Sequence, residues 1–268
     1  MDFLTRLHLW SRMGKPLRRI PFYLLDQFSM HGKVLVGHFY NDNRVKIVTR
    51  YPASRIDRTM QLVENRPEGK YGEVDCWLYA ALEKYPIKNK DVLILGSAEQ
   101  GYGPWYECIC LKYGAFPVTI DYNKIIYEDD RFKFFTPSEA KMDNITVKAA
   151  ISISSLEHSG LGRYGDPLDA DADLKAMQDL KKMIKPGELL YLAVPLGRDK
   201  VVFNLHRIYG RIRLPKLLEG WRMIDSFGYE EALLDRDTKD GWEPRNENGD
   251  LLHPGYPEYC PVLVLQNG

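Results

Sequence analysis

From Asp91 onward, short apolar runs alternate with segments whose apolar residues recur at helical spacing. The runs are continuous, which is typical of strands buried on both faces, as in a parallel sheet covered by helices. The predicted strands are residues 92–95, 116–120, 149–153 and 189–194, and the predicted helices between them are residues 104–112 and 171–185. The pattern therefore predicts an α/β fold.

The end of the chain follows a different pattern. Residues 221–227 and 261–266 are two strand-like runs, and the polar, Gly- and Pro-rich sequence between them contains no convincing helix. Two consecutive strands without a crossover helix are expected to pair antiparallel. The mostly parallel sheet is therefore predicted to end in an antiparallel strand, whereas a two-halved dinucleotide-binding fold would continue with further βα units.

The N-terminal part of the chain has mixed signals. The predicted helices here are residues 3–13, 22–30, 54–64 and 73–84. The β-branched runs at residues 33–36 and 45–49 flank a turn signal, Asn41-Asp42-Asn43, and are interpreted as a hairpin. We therefore expect a helical and hairpin extension or cap over residues 1–70, followed by the α/β domain over residues 71–268.

Composition narrows the classes of function. Lys+Arg and Asp+Glu both count 37, so the balance implies no nucleic-acid partner. No window approaches the roughly 18 consecutive apolar residues of a membrane-spanning helix, although the mildly basic N-terminus would suit weak association with a membrane surface. The four cysteines form no metal-spaced set and are expected to be reduced, which favours a cytoplasmic location. The oligomeric state stays open.

A glycine-containing loop follows the first predicted strand of the sheet. Gly96 and Gly101 let the backbone turn tightly and approach a ligand, with Ser97 beside them. A ligand there would lie over the carboxyl end of the strand, against the N-terminus of the next helix. Asp121 follows about 25 residues later, near the spacing of a ribose-binding acid. The alternatives are a simple turn for the glycines and a helix N-cap for Asp121.

The densest polar segment, residues 154–167, begins where the third predicted strand ends. Ser155 would join the cofactor site at this edge of the sheet. His158 is the candidate general base, because the ordinary pKa of an imidazole lies near neutral pH. Glu157 could orient that imidazole. The glycines of the segment suit either a loop folded over a ligand or a mobile turn.

A second polar segment follows the next predicted strand and should reach the same edge of the sheet. Its arginines, with Arg163, could form a fork-like receptor for carboxylate or phosphate. A solvated, salt-bridged face is the alternative. The candidate substrate-binding residues are Arg163, Tyr164, Asn204, His206, Arg207 and Tyr209, and the other arginines of the segment are Arg198, Arg211 and Arg213.

Three motifs resemble one known family. They are Glu157-His158-Ser-Gly-Leu-Gly-Arg-Tyr-Gly-Asp-Pro-Leu168, Gly96-Ser97 with Pro104-Trp105-Tyr106-Glu107, and Asn204-Leu-His206-Arg207-Ile-Tyr209-Gly-Arg-Ile-Arg-Leu-Pro215. Over residues 91–229 the chain resembles the Caenorhabditis protein of unknown function family, which is itself similar to class I S-adenosylmethionine-dependent methyltransferases. The resemblance implies a Rossmann-like class I methyltransferase fold with S-adenosylmethionine as cofactor.

The chain departs from the methyltransferase pattern at two positions of the glycine motif. Ile94 stands where an acid is usual, and Ala98 stands where the middle glycine is usual. Glu139 is a candidate for the acid that contacts the adenine in these enzymes.

The resulting hypothesis is methyl transfer from S-adenosylmethionine to a polar small molecule, either anionic or sugar-like, without a metal. Two alternatives stay open. One is a NAD-type dinucleotide-binding oxidoreductase, and the other is a catalytically inactive Rossmann-like binding module.

Overall fold

The computed structural model describes residues 16–42, 48–65, 69, 71–97, 103–237 and 260–268. The helices are α1 (Phe22–Phe28), α2 (Ala53–Asn65), α3 (Glu73–Lys84), α4 (Trp105–Lys112), α5 (Pro137–Met142), α6 (Ala172–Met183) and α7 (Arg213–Leu217). The strands are β1 (Leu35–His38), β2 (Thr49–Tyr51), β3 (Asp91–Leu95), β4 (Phe116–Ile120), β5 (Ile125–Tyr127), β6 (Lys133–Phe135), β7 (Val147–Ile153), β8 (Ile184–Ala193), β9 (Lys200–Phe203), β10 (His206–Ile208), β11 (Trp221–Phe227) and β12 (Val262–Asn267). None of the helices in these ranges is long and apolar enough to cross a bilayer.

The strands and helices predicted from the apolar runs are present. The continuous run after Asp91 forms β3, and the next two runs form β4 and β7. The two late runs form β11 and β12, which pair antiparallel as expected. The fold class predicted from the pattern is confirmed.

The main sheet has seven strands in the order β11-β12-β8-β7-β3-β4-β6. β12 is antiparallel to both of its neighbours, and the remaining pairs are parallel. The chain builds β4 and β6 on one side of β3, and then β7 and β8 on the other side. The strand order therefore reverses between β3 and β7, and the crevice outside the carboxyl ends of such a pair is where open α/β sheets bind ligands.

Alternate residues of β3 face two apolar layers. Val92 and Ile94 pack in the cluster that includes α3 and α4, whereas Leu93 packs with Met177 and Leu180 of α6. The alternation follows from the period of two in a strand. Because both faces are covered, the polar groups of the sheet meet solvent at the strand ends, which positions the site there.

The predicted N-terminal hairpin is not found among the described residues. β1 pairs in parallel with β9, and β2 pairs in parallel with β5, so the two strands belong to different sheets. Runs of three and four residues carry too little pattern to define a partner strand. Asn43 of the predicted turn, residues 45–47 of the second run, and the helix predicted at residues 3–13 lie outside the described residues.

One predicted boundary is also wrong. Helix α6 ends at Met183 and β8 begins at Ile184, ahead of the Pro186-Gly187 pair that was expected to stop the helix. The pairing of β7 with β8 shifts register between Val147 and Ala149. A proline cannot donate to the ladder, and this irregularity accommodates it.

Candidate active site

The carboxyl ends of β3 and β7 touch at the reversal of strand order. Gly96 follows β3 in a left-handed conformation with φ of 70°. A Cβ built on it would lie 2.7 Å from Oγ of Ser155, which follows β7. A side chain at position 96 would therefore be strained and would displace Ser155, which is why glycine is needed at this contact.

Asp121 braces the loop that follows β3. Its carboxylate accepts hydrogen bonds from the backbone N–H of Ser97 (2.9 Å) and of Asn123 (2.7 Å). The Tyr51 hydroxyl donates to the Ser97 carbonyl from β2 (3.0 Å). A carboxylate has about four lone-pair positions and can accept several hydrogen bonds at once. Gly101, the other predicted member of this loop, lies outside the described residues.

Glu139, the candidate adenine contact, is engaged at the start of α5. Its carboxylate accepts from the backbone N–H and the hydroxyl of Thr136, and the Thr136 hydroxyl accepts from the Glu139 N–H. This reciprocal arrangement is a capping box. The geometry favours a structural role for Glu139.

Glu157 is buried in a short 3-10 turn after β7. Neither carboxylate oxygen has a hydrogen-bond partner among the described residues. Burial raises the pKa of this carboxyl to about 7, because removal from water disfavours the charged form. A buried carboxyl whose oxygens make no hydrogen bond is costly, and such groups concentrate at ligand sites.

His158 is held in one orientation by the chain around Leu205. Nδ1 of its ring lies 2.6 Å from the Leu205 carbonyl oxygen, which can only accept, so Nδ1 carries the proton. Nε2 keeps its lone pair and lies 3.7 Å from Oε1 of Glu157. Burial, with the charges of Arg163 and His206, lowers the pKa of His158 well below 6.5. A neutral imidazole with a fixed, free Nε2 has the form that a general base requires.

Four of the predicted substrate-binding residues lie around His158. The Tyr164 and His206 rings have centroids 5.7 Å and 6.4 Å from the His158 ring. Arg163 donates to the Leu205 carbonyl (3.4 Å). Asn204 has a φ of 63°, and its Oδ1 accepts from the Asn41 N–H (2.6 Å). The fold thus brings two segments, 40 residues apart in sequence, to one strand edge.

Arg207 and Tyr209, the other two predicted substrate contacts, lie in the interior. The Arg207 side chain has no exposed surface, and its hydrogen bonds go to main-chain carbonyls. The Tyr209 hydroxyl donates to Asp173 (3.0 Å). The predicted substrate-binding role of Arg207 and Tyr209 is therefore corrected to a structural one, because fully buried side chains do not reach a ligand.

The fork of arginines is not assembled. Arg211 pairs with Glu231 and Asp235, and Arg198 pairs with Asp237. Arg213 makes two hydrogen bonds to the buried Asp173 carboxylate. The pairs of Arg198 and Arg211 form the solvated, salt-bridged face that is the alternative to an anion receptor. The pair of Arg213 with Asp173 belongs to the core.

The glycine-rich segment folds on itself. The Asp166 carboxylate accepts from the backbone N–H of Gly162 (3.1 Å) and of Tyr164 (3.2 Å). A protein carboxylate therefore fills the concavity that the glycines create. This arrangement explains the glycines without a ligand bound by the loop itself.

The site also contains groups that the sequence reasoning missed. The Leu205 carbonyl orients His158, and Tyr51 holds the loop after β3. A backbone carbonyl leaves no signature in the side-chain sequence. Tyr51 belongs to a three-residue strand whose position near the loop depends on its pairing with β5.

The buried carboxyl of Glu157 is expected to make the free energy of unfolding depend on pH. Because its pKa of about 7 lies above the unfolded value near 4.5, the folded protein keeps this proton at pH values where the unfolded chain has lost it. The stability due to the protonated group is complete below pH 4.5 and is lost as pH rises through 7. Glu157→Gln should therefore gain stability relative to the wild type between pH 5 and pH 8, by on the order of 3 kcal/mol.

Urea unfolding of both proteins at the two pH values measures this difference. Glu139→Gln is the matched control, because hydrogen bonds from Thr136 lower the pKa of Glu139 and reverse the sign of its pH dependence. Parallel stability curves for Glu157→Gln and the wild type would show that Glu157 is ionised and compensated in the folded protein.

The strand order and the site at its reversal define the class of the protein: it has the Rossmann-like fold of class I methyltransferases, with a mostly parallel sheet that includes one antiparallel strand. Residues 89–239 match the family described as "Caenorhabditis protein of unknown function, DUF268". This match takes in more than half of the 268-residue chain, and the protein belongs to that family. No curated protein matches the chain in sequence.

Solved structures with a similar fold are methyltransferases or related proteins of low identity. TehB from Haemophilus influenzae has 11% identity and a TM-score of 0.42, over 71% of this chain and 61% of TehB, which is less than two thirds of its length. The N-methyltransferase NodS from Bradyrhizobium japonicum, in complex with S-adenosyl-L-homocysteine, has 12% identity and a TM-score of 0.42, over 78% of this chain and 98% of NodS. A methyltransferase from Pyrococcus furiosus has 10% identity and a TM-score of 0.41, over 80% of this chain and 99% of that protein. Because these TM-scores lie below 0.5, it is the strand order of this chain that defines its fold.

Proposed function

We propose that this protein is an S-adenosylmethionine-dependent methyltransferase that acts on a hydroxyl group of a polar small molecule. The observation that carries the proposal is the position of His158. Its free Nε2 lies in the segment that directly follows Ser155, and Ser155 touches Gly96 at the reversal of strand order. A base and a cofactor cradle are thus adjacent in the fold.

The described residues of the cradle fit the proposed cofactor. Gly96 offers backbone without a Cβ, and the braced carboxylate of Asp121 can accept from the ribose hydroxyls. Ser97 and Ser155 line the same strand ends. When bound, S-adenosylmethionine would supply the methyl group.

The protein's own task in the reaction is positioning and proton removal. Nε2 of His158 would accept the proton of the acceptor hydroxyl, while S-adenosylmethionine would supply the methyl group to the acceptor oxygen and leave as S-adenosylhomocysteine. The Nδ1–H bond to the Leu205 carbonyl keeps the ring in place and supports the imidazolium that results. Glu157, near Nε2, stabilises that cation when it is ionised.

Unpartnered polar atoms around His158 suggest the kind of acceptor. Nδ2 of Asn204 and Nε of Arg163 are buried donors, and Glu157 offers two acceptors, none with a partner among the described residues. A molecule with several hydroxyls satisfies donors and acceptors together. Because the other arginines are engaged elsewhere, we favour a sugar-like acceptor over a strongly anionic one.

The N-terminal segment contributes to this acceptor region. We propose that residues 1–70 act as an extension of the domain formed by residues 71–268. β1 extends the small sheet of β9 and β10, and Asn41 anchors Asn204. The extension would thus form one wall beside His158.

Titration calorimetry of the whole protein tests the proposal, with S-adenosylmethionine, S-adenosylhomocysteine and NAD as ligands. We expect binding of the first two, with a rise in melting temperature that grows with ligand concentration. Binding of NAD alone would move the protein to the dinucleotide oxidoreductases. Binding of none of the three would support an inactive module. Incubation with isotope-labelled S-adenosylmethionine and a panel of sugars and sugar phosphates then identifies the acceptor.

A further inference from the structure

The segment that follows His158, residues 160–169, is a closed loop. The Asp169 N–H donates to the Gly160 carbonyl (3.0 Å), so the chain leaves and returns at nearly the same point. A Cβ on Gly160, which has a φ of 75°, would lie 2.1 Å from the Asp169 carbonyl oxygen. The two ends of the loop are therefore packed directly on each other, with His158 just ahead of the first end.

One buried side chain ties both ends together. NH1 of Arg207 donates to the carbonyls of Ser159 (2.5 Å) and Glu157 (3.4 Å), and NH2 donates to those of Asp169 (3.2 Å) and Ala170 (3.1 Å). The first pair of carbonyls flanks His158 on both sides. A planar guanidinium can serve two separate chain segments in this way, whereas an ammonium group is a single point charge.

The same β9–β10 hairpin also holds the imidazole. Leu205, two residues before Arg207, provides the carbonyl that accepts from Nδ1 of His158. The hairpin thus accepts a hydrogen bond from the His158 ring through Leu205. Through Arg207 it donates hydrogen bonds to the main chain on either side of His158. The β9–β10 hairpin therefore contacts both the ring of His158 and the main chain on either side of it.

We propose that Arg207 is a positioning residue, which sets the orientation and the tautomer of His158 by clamping the main chain on both sides of it. This inference rests on the proposed function only in the use to which Nε2 is put. Arg207 does not touch the reacting atoms. Its contribution is that Nδ1–H meets the Leu205 carbonyl and that Nε2 keeps its lone pair.

The buried Arg213 provides the matched control. It belongs to the same cluster, bonds to Asp173 and to the Ala170 carbonyl (2.6 Å), but makes no hydrogen bond to Glu157 or Ser159 within the described structure. A purely structural role for the cluster predicts the same consequences from both arginines. The clamp predicts that only Arg207 affects His158.

The experiment is ¹⁵N NMR of histidine-labelled full-length protein, in which only six imidazoles contribute. His158→Asn assigns the signal of His158. We expect the wild type to show a single Nδ1–H tautomer, Arg207→Lys to show a mixture of both tautomers, and Arg213→Lys to keep the wild-type pattern. Lysine retains the positive charge, so a change in Arg207→Lys reports geometry. The other groups that face His158 are Glu157, Arg163, Tyr164 and His206.

A folded Arg207→Lys protein with the His158 signals of the wild type would overturn the clamp, as would the same change in both lysine variants. If Arg207→Lys does not fold, Arg207→Gln replaces it, because glutamine leaves Arg213 and Asp173 as a neutral pair. The spectra are recorded without cofactor. Failure to bind S-adenosylhomocysteine would thus refute the proposed function and leave this result standing.

Discussion

Replacement of His158 by asparagine is expected to lower the rate of methyl transfer by about 10²–10⁴-fold, the usual contribution of a general base. The asparagine amide can still donate to the Leu205 carbonyl, as Nδ1 does at 2.6 Å. It has no basic nitrogen to take a proton. The local structure should therefore persist while the proton-transfer step is lost. Initial rates with labelled S-adenosylmethionine and the acceptor found by screening give the comparison.

Two further proteins complete this test. His158→Gln places its amide near the position of Nε2 and should be equally inactive, with affinity for S-adenosylhomocysteine retained in both variants. His31→Asn changes an exposed histidine that pairs with Asp26 outside the candidate site, and it should retain the activity. A fully active His158→Asn enzyme would remove His158 as the base and leave it a structural role.

The second large effect concerns Asp121. Asp121→Asn should weaken binding of S-adenosylhomocysteine by about 100-fold, because two hydrogen bonds to a charged group contribute about 1.5 kcal/mol or more each, and 1.4 kcal/mol is tenfold. The neutral amide also leaves one of its two backbone contacts, to Ser97 or Asn123, unmade. Calorimetry measures the affinity, and thermal unfolding without ligand monitors the fold.

Glu139→Gln is the control for this substitution. It removes a negative charge near the neighbouring strand end, yet glutamine maintains the capping box with Thr136. We expect its affinity to match that of the wild type. Equal affinities in Asp121→Asn and the wild type would show that Asp121 is only a brace for the loop after β3. Loss of affinity in Glu139→Gln would restore it as a ligand contact.

Much of the α/β core follows from local pattern. Continuous runs such as residues 116–120 became buried strands with the predicted bounds, and residues 73–84 became α3. These segments are long enough, and periodic enough, for burial alone to select the structure. The short N-terminal runs are not, and their pairing with β9 and β5 could not be foreseen.

The candidate site likewise has features that the local pattern predicts and features that it does not. That Glu157 and His158 follow a strand of the sheet was readable from the chain, because strand ends share an edge. That Arg207 is an interior clamp was not, since an arginine on a solvated face, in a substrate pocket or in the core has the same sequence signature. Burial among the carbonyls of Ser159 and Ala170 is a property of how the loop and the hairpin meet.

By itself, the sequence determined the layers of this protein, the antiparallel strand at the end of its sheet, and the edge at which polar residues collect. These depend on periodicity within single segments, which hydrophobic burial enforces locally. The tertiary structure decided which nitrogen of His158 keeps its lone pair and which carboxyl is buried without a hydrogen bond. It also decided which arginines pair with carboxylates or carbonyls in the core. Those properties depend on contacts between segments far apart in the chain, such as Leu205 with His158, and on the loss of water around them.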